Sequence, residues 1–233
     1  MFNYSLSDVV HSWEQHLACM LPSKVNQLIH QSGRQCNWHQ TAFSFLIPTG
    51  RDFASLNEGG KVSLRLTTPG IDPVPPSTVL NSTTGACWSF RGQSGTFGVT
   101  FDVPSVMPSH VVIHHRPCNS TDFSGSRACA PHKVIVWRLV DGEANMRTFY
   151  RSQGATPAKV PSSISKEGVF LPLAEIQFDI LSRSLRQVFP ISDNVLSWGI
   201  DFGIVVFDIR SNWGANTTSL CSVRVYGHTV WEG

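Results

Sequence analysis

The chain has 233 residues, and its 18 Lys plus Arg against 16 Asp plus Glu leave a formal net charge of +2. Only 15% of it is charged, against roughly 25% for an average soluble domain, so it has little long-range field with which to gather phosphates and no sequence-independent nucleic-acid binding is expected. With 41% hydrophobic and 10% aromatic residues, the composition excludes disorder and predicts one sizeable core carrying an appendage.

Residues 1–45 read as a helical segment. Ser7 and Asp8 cap a predicted helix through Val9, Val10, Trp13, His16 and Leu17, which Pro22 ends, and a second starts at Ser23 with Val25, Leu28 and Ile29 on one face and stops near Gly33. Forty residues of this kind are too few to fold alone and should dock on the body or on a neighbouring subunit, with Cys19 and Cys36 placed to staple them. No run approaches the ~18 uninterrupted apolar residues of a membrane span. Met1-Phe-Asn-Tyr-Ser5 also lacks the pattern of a signal peptide, so the expectation is a soluble protein or an excised piece of a longer one.

From residue 46 to 233 the texture changes to short β-type segments between Gly, Pro, Asn and Ser clusters. Strands are predicted over 61–66, 96–101, 110–115, 133–139, 169–176, 186–189, 198–209 and 222–228. Alternation is clear in Gly98-Val-Thr-Phe-Asp-Val103, where Val99, Phe101 and Val103 share a face. Residues 67–78, 116–131 and 151–165 read as surface loops. The fold class is therefore all-β, a compact antiparallel β-sandwich with a short N-terminal helical segment.

Six cysteines, at 19, 36, 87, 118, 129 and 221, include no Cys-x-x-Cys pair and lean towards disulfides. Four Asn-x-Ser/Thr sequons, at Asn3, Asn81, Asn119 and Asn216, point the same way, to an oxidising lumen or the exterior. The alternative is reduced thiols and accidental sequons in a cytosolic protein.

Motifs for chemistry are missing: there is no Gly-rich phosphate loop, no Gly-x-Ser-x-Gly elbow and no His-Glu-x-x-His helix. On a strand His110 and His114 share one face while His115 joins Val111 and Ile113 on the other, so they and the downstream His132 do not converge on a metal. Asp201 and Asp208 lie seven residues apart, on opposite faces of their strand, a poor arrangement for a paired acid and base. The chain is not expected to be an enzyme.

Five words then occur in order: Gly85-Ala-Cys-Trp-Ser-Phe-Arg-Gly-Gln-Ser-Gly-Thr-Phe97, Val111-Val-Ile-His-His-Arg-Pro117, Ala130-Pro-His-Lys-Val-Ile-Val136, Phe207-Asp-Ile-Arg-Ser-Asn-Trp-Gly214 and Cys221-Ser-Val-Arg-Val-Tyr-Gly-His228. Together they resemble a SUN domain, the luminal module of the LINC-complex proteins that bridge the nuclear envelope. Asp52-Phe-Ala-Ser-Leu-Asn-Glu-Gly-Gly60 resembles the segment that opens that domain, and Glu167-Gly168 its mid-domain turn. The match spans roughly residues 51–229.

The resemblance implies a jelly-roll, galactose-binding-like sandwich assembled as a homotrimer in the perinuclear space. It would be held to the inner nuclear membrane by an anchor upstream of this sequence and would bind the C-terminal peptide of a KASH-type membrane protein. By residue, it implies a disulfide between Cys87 and Cys221 and a pocket for the partner's carboxylate at His115, Cys129, Ser219 and Val223. Gly95 and Arg224 would lie at the trimer interface. A monovalent cation, potassium or sodium, would sit on backbone carbonyls between Val79, Leu80, Asn81 and Ala86, in a loop two or three residues shorter than usual.

The chain departs from the family at the pocket, where Cys129 replaces a serine and Ser219 and Val223 replace tyrosines; Val223 removes a hydroxyl donor that an anionic tail would use. Cys118 and Cys129 flank one loop and are candidates to pair. Between Leu66 and Trp88 the family's long β-hairpin lid is replaced by a segment holding Pro73, Pro75 and Pro76, which cannot supply a ladder of N–H donors. The leading functional expectation is a nuclear-envelope tether. The alternative is a divergent SUN-like module of the endoplasmic reticulum or secretory lumen, serving protein quality control or adhesion to glycans or proteins.

Overall fold

The computed structural model describes residues 50–71, 73–81, 85–103, 105–116, 127–152, 160, 164–182, 184–191, 200 and 202–229. All belong to the second of the two units into which the chain divides, 40–233. The strands in chain order are β1 (Arg51–Asp52), β2 (Lys61–Ser63), β3 (Trp88–Arg91), β4 (Gly95–Thr100), β5 (Val106–His114), β6 (Pro131–Val140), β7 (Val169–Gln177), β8 (Arg186–Pro190), β9 (Ile204–Asn212), β10 (Thr217–Leu220) and β11 (Ser222–Thr229), with one α-helix among the described residues, α1 (Glu143–Ser152), besides short 3-10 turns. The predicted helices of residues 6–45, with Cys19, Cys36 and Cys118, lie outside the described residues.

The strands form a four-stranded sheet ordered β1-β11-β5-β8, a five-stranded sheet ordered β2-β4-β9-β6-β7 and a two-stranded ladder β10-β3, and the pairings are antiparallel. The result is the expected antiparallel sandwich of jelly-roll type. Alternation builds its core: Val111 and Ile113 of β5, Val223 and Val225 of β11 and Phe189 of β8 join Phe97, Val99, Val134, Val136, Val205, Phe207 and Ile209 from the other sheet in one buried cluster.

β9 is apolar on both faces because both are covered. Its Val205, Phe207 and Ile209 enter the main core, while Val206 joins Leu66, Trp137, Leu139, Ile164 and Phe170 in a second cluster. The predicted strand 61–66 therefore ends early. After Ser63 the chain turns into a 3-10 helix, Leu64–Leu66, which lays Leu66 over β4. Gly98 permits that approach, since a Cβ there would come 2.6 Å from Leu66 Cβ.

Helix α1, within a stretch assigned no element from sequence, packs Met146 and Phe149 on Val140, Leu171 and Ile200 and carries an exposed Glu143–Arg147 bridge of 3.0 Å. The proline-rich segment forms an isolated bridge from Gly70 to Phe90 and a 3-10 turn, Pro76–Leu80, but no strand among its described residues.

Cys87 and Cys221 are bonded across a sequence separation of 134 residues, joining the entry to β3 to the link between β10 and β11. Cys129 is also disulfide-bonded, to a residue outside those described. A loop of this length is worth about 4 to 5 kcal/mol in the chain-entropy limit. Urea unfolding of the Cys87→Ser, Cys221→Ser double variant under oxidising conditions should therefore show a loss of about 4 kcal/mol relative to the parent.

Candidate functional site

The outward faces of β5, β11 and β8 make a cleft of about 290 Å³. Strand alternation puts Val112 and His114 on this face of β5, with Arg116 two residues on, and Ser222, Arg224 and Tyr226 on this face of β11. The register aligns them into rows: His114 stands between Ser222 and Arg186, and Val112 faces Arg224. Arg116 and Arg186 are exposed and His114 is half-buried. No carboxylate is among the described residues lining the cleft; Arg224 is paired with Asp52 behind it, so the exposed Arg116 and Arg186 give the cleft its positive field. The pKa of His114 is lowered from its ordinary value, first by burial and then by repulsion from Arg116, Arg186 and Arg224.

Arg224 forms the buried end of the cleft. Its Nε lies 3.1 Å from Asp52 Oδ2, and its NH1 donates to the carbonyls of Val223 (2.8 Å), Leu80 (3.2 Å) and Val79 (3.5 Å). Asp52 Oδ1 accepts from the backbone N–H groups of Ala54 and Val225, each at 3.2 Å. Burial raises the Asp52 pKa, and Arg224 works against that rise. The carbonyls of Val79 and Leu80, expected to hold a monovalent cation, thus already face a tethered one, the Arg224 guanidinium. Asn81 lines the cleft, and Ala86 is half-buried.

Arg224, expected at a trimer interface, makes its ion pair and hydrogen bonds here within its own chain. Gly95 is likewise packed internally, for a Cβ there would come 2.6 Å from the Phe90 ring and 2.9 Å from Thr68 Oγ1.

The residues expected to receive a carboxylate lie on the inward side. His115 is 1% exposed, Cys129 3%, Ser219 9% and Val223 0%, and none of the four is among the residues lining the cleft. His115 has its Nε2 3.8 Å from Cys129 Sγ and its Nδ1 4.0 Å from Cys221 Sγ. Ser219 shares a 2.8 Å hydroxyl hydrogen bond with Ser89. Burial, opposed by a hydrogen bond to the Ser219 backbone, lowers the His115 pKa to about 4, so near neutral pH the imidazole holds no charge with which to meet an anion.

His110 contacts Ser109 Oγ at 3.0 Å, and His132 stacks on Trp213 with ring centroids 4.0 Å apart. No cluster of metal-ligating side chains occurs among the described residues. Asp208 is buried, accepts from Trp137 Nε1 at 3.2 Å and pairs with Arg210 Nε at 2.5 Å; Asp201 lies outside the described residues.

Reading for catalytic or metal constellations missed Arg116, Arg186 and Tyr226. The spacing of Val112, His114 and Arg116, matched by Ser222, Arg224 and Tyr226, is the signal that would have found most of the cleft.

No protein-family model matches the chain, and no curated protein matches it. Among solved structures, the family 32 carbohydrate-binding module from Streptococcus pneumoniae EndoD is similar at TM-score 0.48 and 10% identity, over 76% of this chain and 100% of that one. A family 32 module of Clostridium perfringens NanJ, solved with galactose, is similar at TM-score 0.47 and 13% identity, over 76% and 99%. A family 89 glycoside hydrolase from Clostridium perfringens is similar at TM-score 0.50 and 13% identity, over 78% of this chain and 15% of that one. These likenesses concern the fold alone.

Two measurements check the site. Replacing potassium by sodium or choline at constant ionic strength should leave the thermal midpoint unchanged, because a bound cation would stabilise by mass action and none is needed beside Arg224. The depressed pKa of His115 means that the unfolded chain takes up its proton near 6.5 while the folded chain resists until about 4. Stability from this group is complete above the unfolded value and is lost as pH falls through that window, about 3 kcal/mol in all. Urea titrations near pH 7 and about pH 4.5 should show about 2 kcal/mol of this loss in the parent and a loss smaller by that amount in His115→Gln.

Proposed function

We propose that this chain is a non-enzymatic, SUN-type binding module of the perinuclear lumen, which captures the C-terminal tail of a KASH-type membrane partner and so tethers the nucleus to the cytoskeleton. The observation that carries the reading is the cleft itself: His114, Arg116, Arg186 and Arg224 converge on one small opening with no carboxylate among its described lining residues. A C-terminal carboxylate fits such a site, since charge-assisted hydrogen bonds to exposed guanidiniums are the strong ones and a planar fork matches a carboxylate's two oxygens.

The ordered SUN-like words, the jelly-roll sandwich and the Cys87–Cys221 bond support the same reading. In it the tail's carboxylate enters on the outward face, at Arg116 and Arg186, rather than at the closed cluster around His115. Trimeric assembly and an upstream anchor in the inner nuclear membrane belong to the proposal through the family resemblance.

The test uses a library of octapeptides with free C-termini and the same library amidated. The immobilised chain should retain free-acid peptides, with retention falling as salt rises, and should not retain the amides. Arg116→Glu with Arg186→Glu, both at exposed positions, should weaken retention by about tenfold or more, the scale of one lost charge-assisted bond. Equal retention of acids and amides, or binding to glycans that ignores both arginines, would overturn the proposal.

A further inference from the structure

We infer that His114 is a proton-accepting ligand of the cationic cleft, so that an anion enters together with one proton and is held more tightly as the solution is acidified. The inference deepens the capture reading by naming what regulates the site, and rests on that reading only for the identity of the anion's carrier.

The register sets His114 between Ser222 of β11 and Arg186 of β8, and the described groups that face it are cationic or neutral. Its own strand leads into Arg116, whose NH1 donates to the Gly85 carbonyl at 3.2 Å. β8 contributes Arg186, whose NH2 donates to the Tyr226 hydroxyl at 3.5 Å, and β11 contributes Ser222, Arg224 and Tyr226. Behind them the Asp52 carboxylate of β1 is committed to Arg224 and to two backbone N–H groups. His110 shares the outward face of β5 but stands in the row of Tyr226 and Pro190 and is not among the residues lining the cleft, while His115 faces the core. The half-buried His114 ring makes no hydrogen bond to the described residues, so both of its nitrogens remain to serve a ligand.

A neutral imidazole has one nitrogen that accepts a proton, and once protonated it has two N–H donors for an oxyanion. Burial first, and then the guanidiniums of Arg116, Arg186 and Arg224, hold the His114 pKa below its ordinary value, so near pH 7 the empty cleft keeps the ring neutral. An anion seated between Arg116 and Arg186 offsets that repulsion and accepts from the new N–H, which draws the ring's proton affinity up. Linkage makes the effect reciprocal: the factor by which the anion strengthens proton binding is the factor by which the proton strengthens anion binding. Anion affinity is therefore lowest above the anion-bound pKa, climbs as pH falls towards the pKa of the empty cleft and levels off below it. A C-terminal carboxylate keeps its own charge at pH 5.5, since it titrates at about 3.5.

The test uses the full chain at constant ionic strength, with two probes: methanesulfonate, a monoanion that does not itself titrate, and the free-acid octapeptides. Saturating methanesulfonate should raise the NMR titration midpoint of the His114 ring by about one unit, and both probes should bind about tenfold more tightly near pH 5.5 than near pH 7.5, a coupling of ordinary size. Calorimetry near pH 6.5 in buffers of different ionisation enthalpy should read net proton uptake with each methanesulfonate bound. His114→Gln should lose both the proton uptake and the pH dependence, while His110→Gln, on the same strand face outside the cleft, should keep both. A His114 midpoint unmoved by methanesulfonate, or a pH dependence that survives in His114→Gln, overturns the inference. Failure of the free-acid octapeptides to bind, with methanesulfonate still shifting His114, overturns the capture reading instead and leaves the proton-linked anion site standing.

Discussion

A guanidinium taken out of water must find partners for its donors or cost several kcal/mol, and Arg224 finds them on three separate pieces of chain. Asp52 comes from the edge strand β1, the Val79 and Leu80 carbonyls from the 3-10 turn, and the Val223 carbonyl from β11 itself. The other oxygen of Asp52 accepts from Ala54 and Val225, so the two-residue strand β1, too short to hold its place by ladder bonds alone, is locked in register against β11. One buried ion pair thereby positions the sheet edge, the loop before β3 and the floor of the cleft. Removing either partner would strand the other charge, which makes the pair a condition of the local structure more than a source of net stability.

The same strands that carry the cleft also carry the core, and the two-residue period keeps their chemistry apart. Val111, Ile113, Val223 and Val225 face inward, while His114, Ser222, Arg224 and Tyr226 face outward. His114 and His115 are adjacent in sequence yet live in different solvents. His114 is held down partly by neighbouring arginines and therefore responds to any anion that offsets them. His115, packed near the sulfurs of Cys129 and Cys221, is governed first by burial, with repulsion from His114 a smaller effect.

The strands that were legible in the sequence are those with apolar alternation over five or more residues, such as β4 and β5, because a half-buried strand writes its pattern locally. β1 and β10 escaped because Arg-Asp and Thr-Thr-Ser-Leu hold too few apolar residues to show a period. Helix α1 escaped because it rests on a single turn of contacts, Met146 and Phe149. The cleft was harder: Arg116, Arg186 and Arg224 lie on three elements, and only the register of β11 on β5 and of β5 on β8 brings them together. The Cys87–Cys221 pairing was legible through family resemblance. The in-chain partners of Arg224, Asp52 and the Val79 and Leu80 carbonyls, come from elements far away in sequence, so no local pattern announced them.

Strand addition would bind a peptide through main-chain donors that are indifferent to its charge, and the segment bearing Pro73, Pro75 and Pro76 has no ladder to offer. In the proposed reading, affinity must then come from side chains at the rim of one small cleft, chiefly two exposed arginines whose field is screened by salt. Such a site has few contacts to spare, so an obstruction at its entrance changes occupancy more than it would along an extended groove.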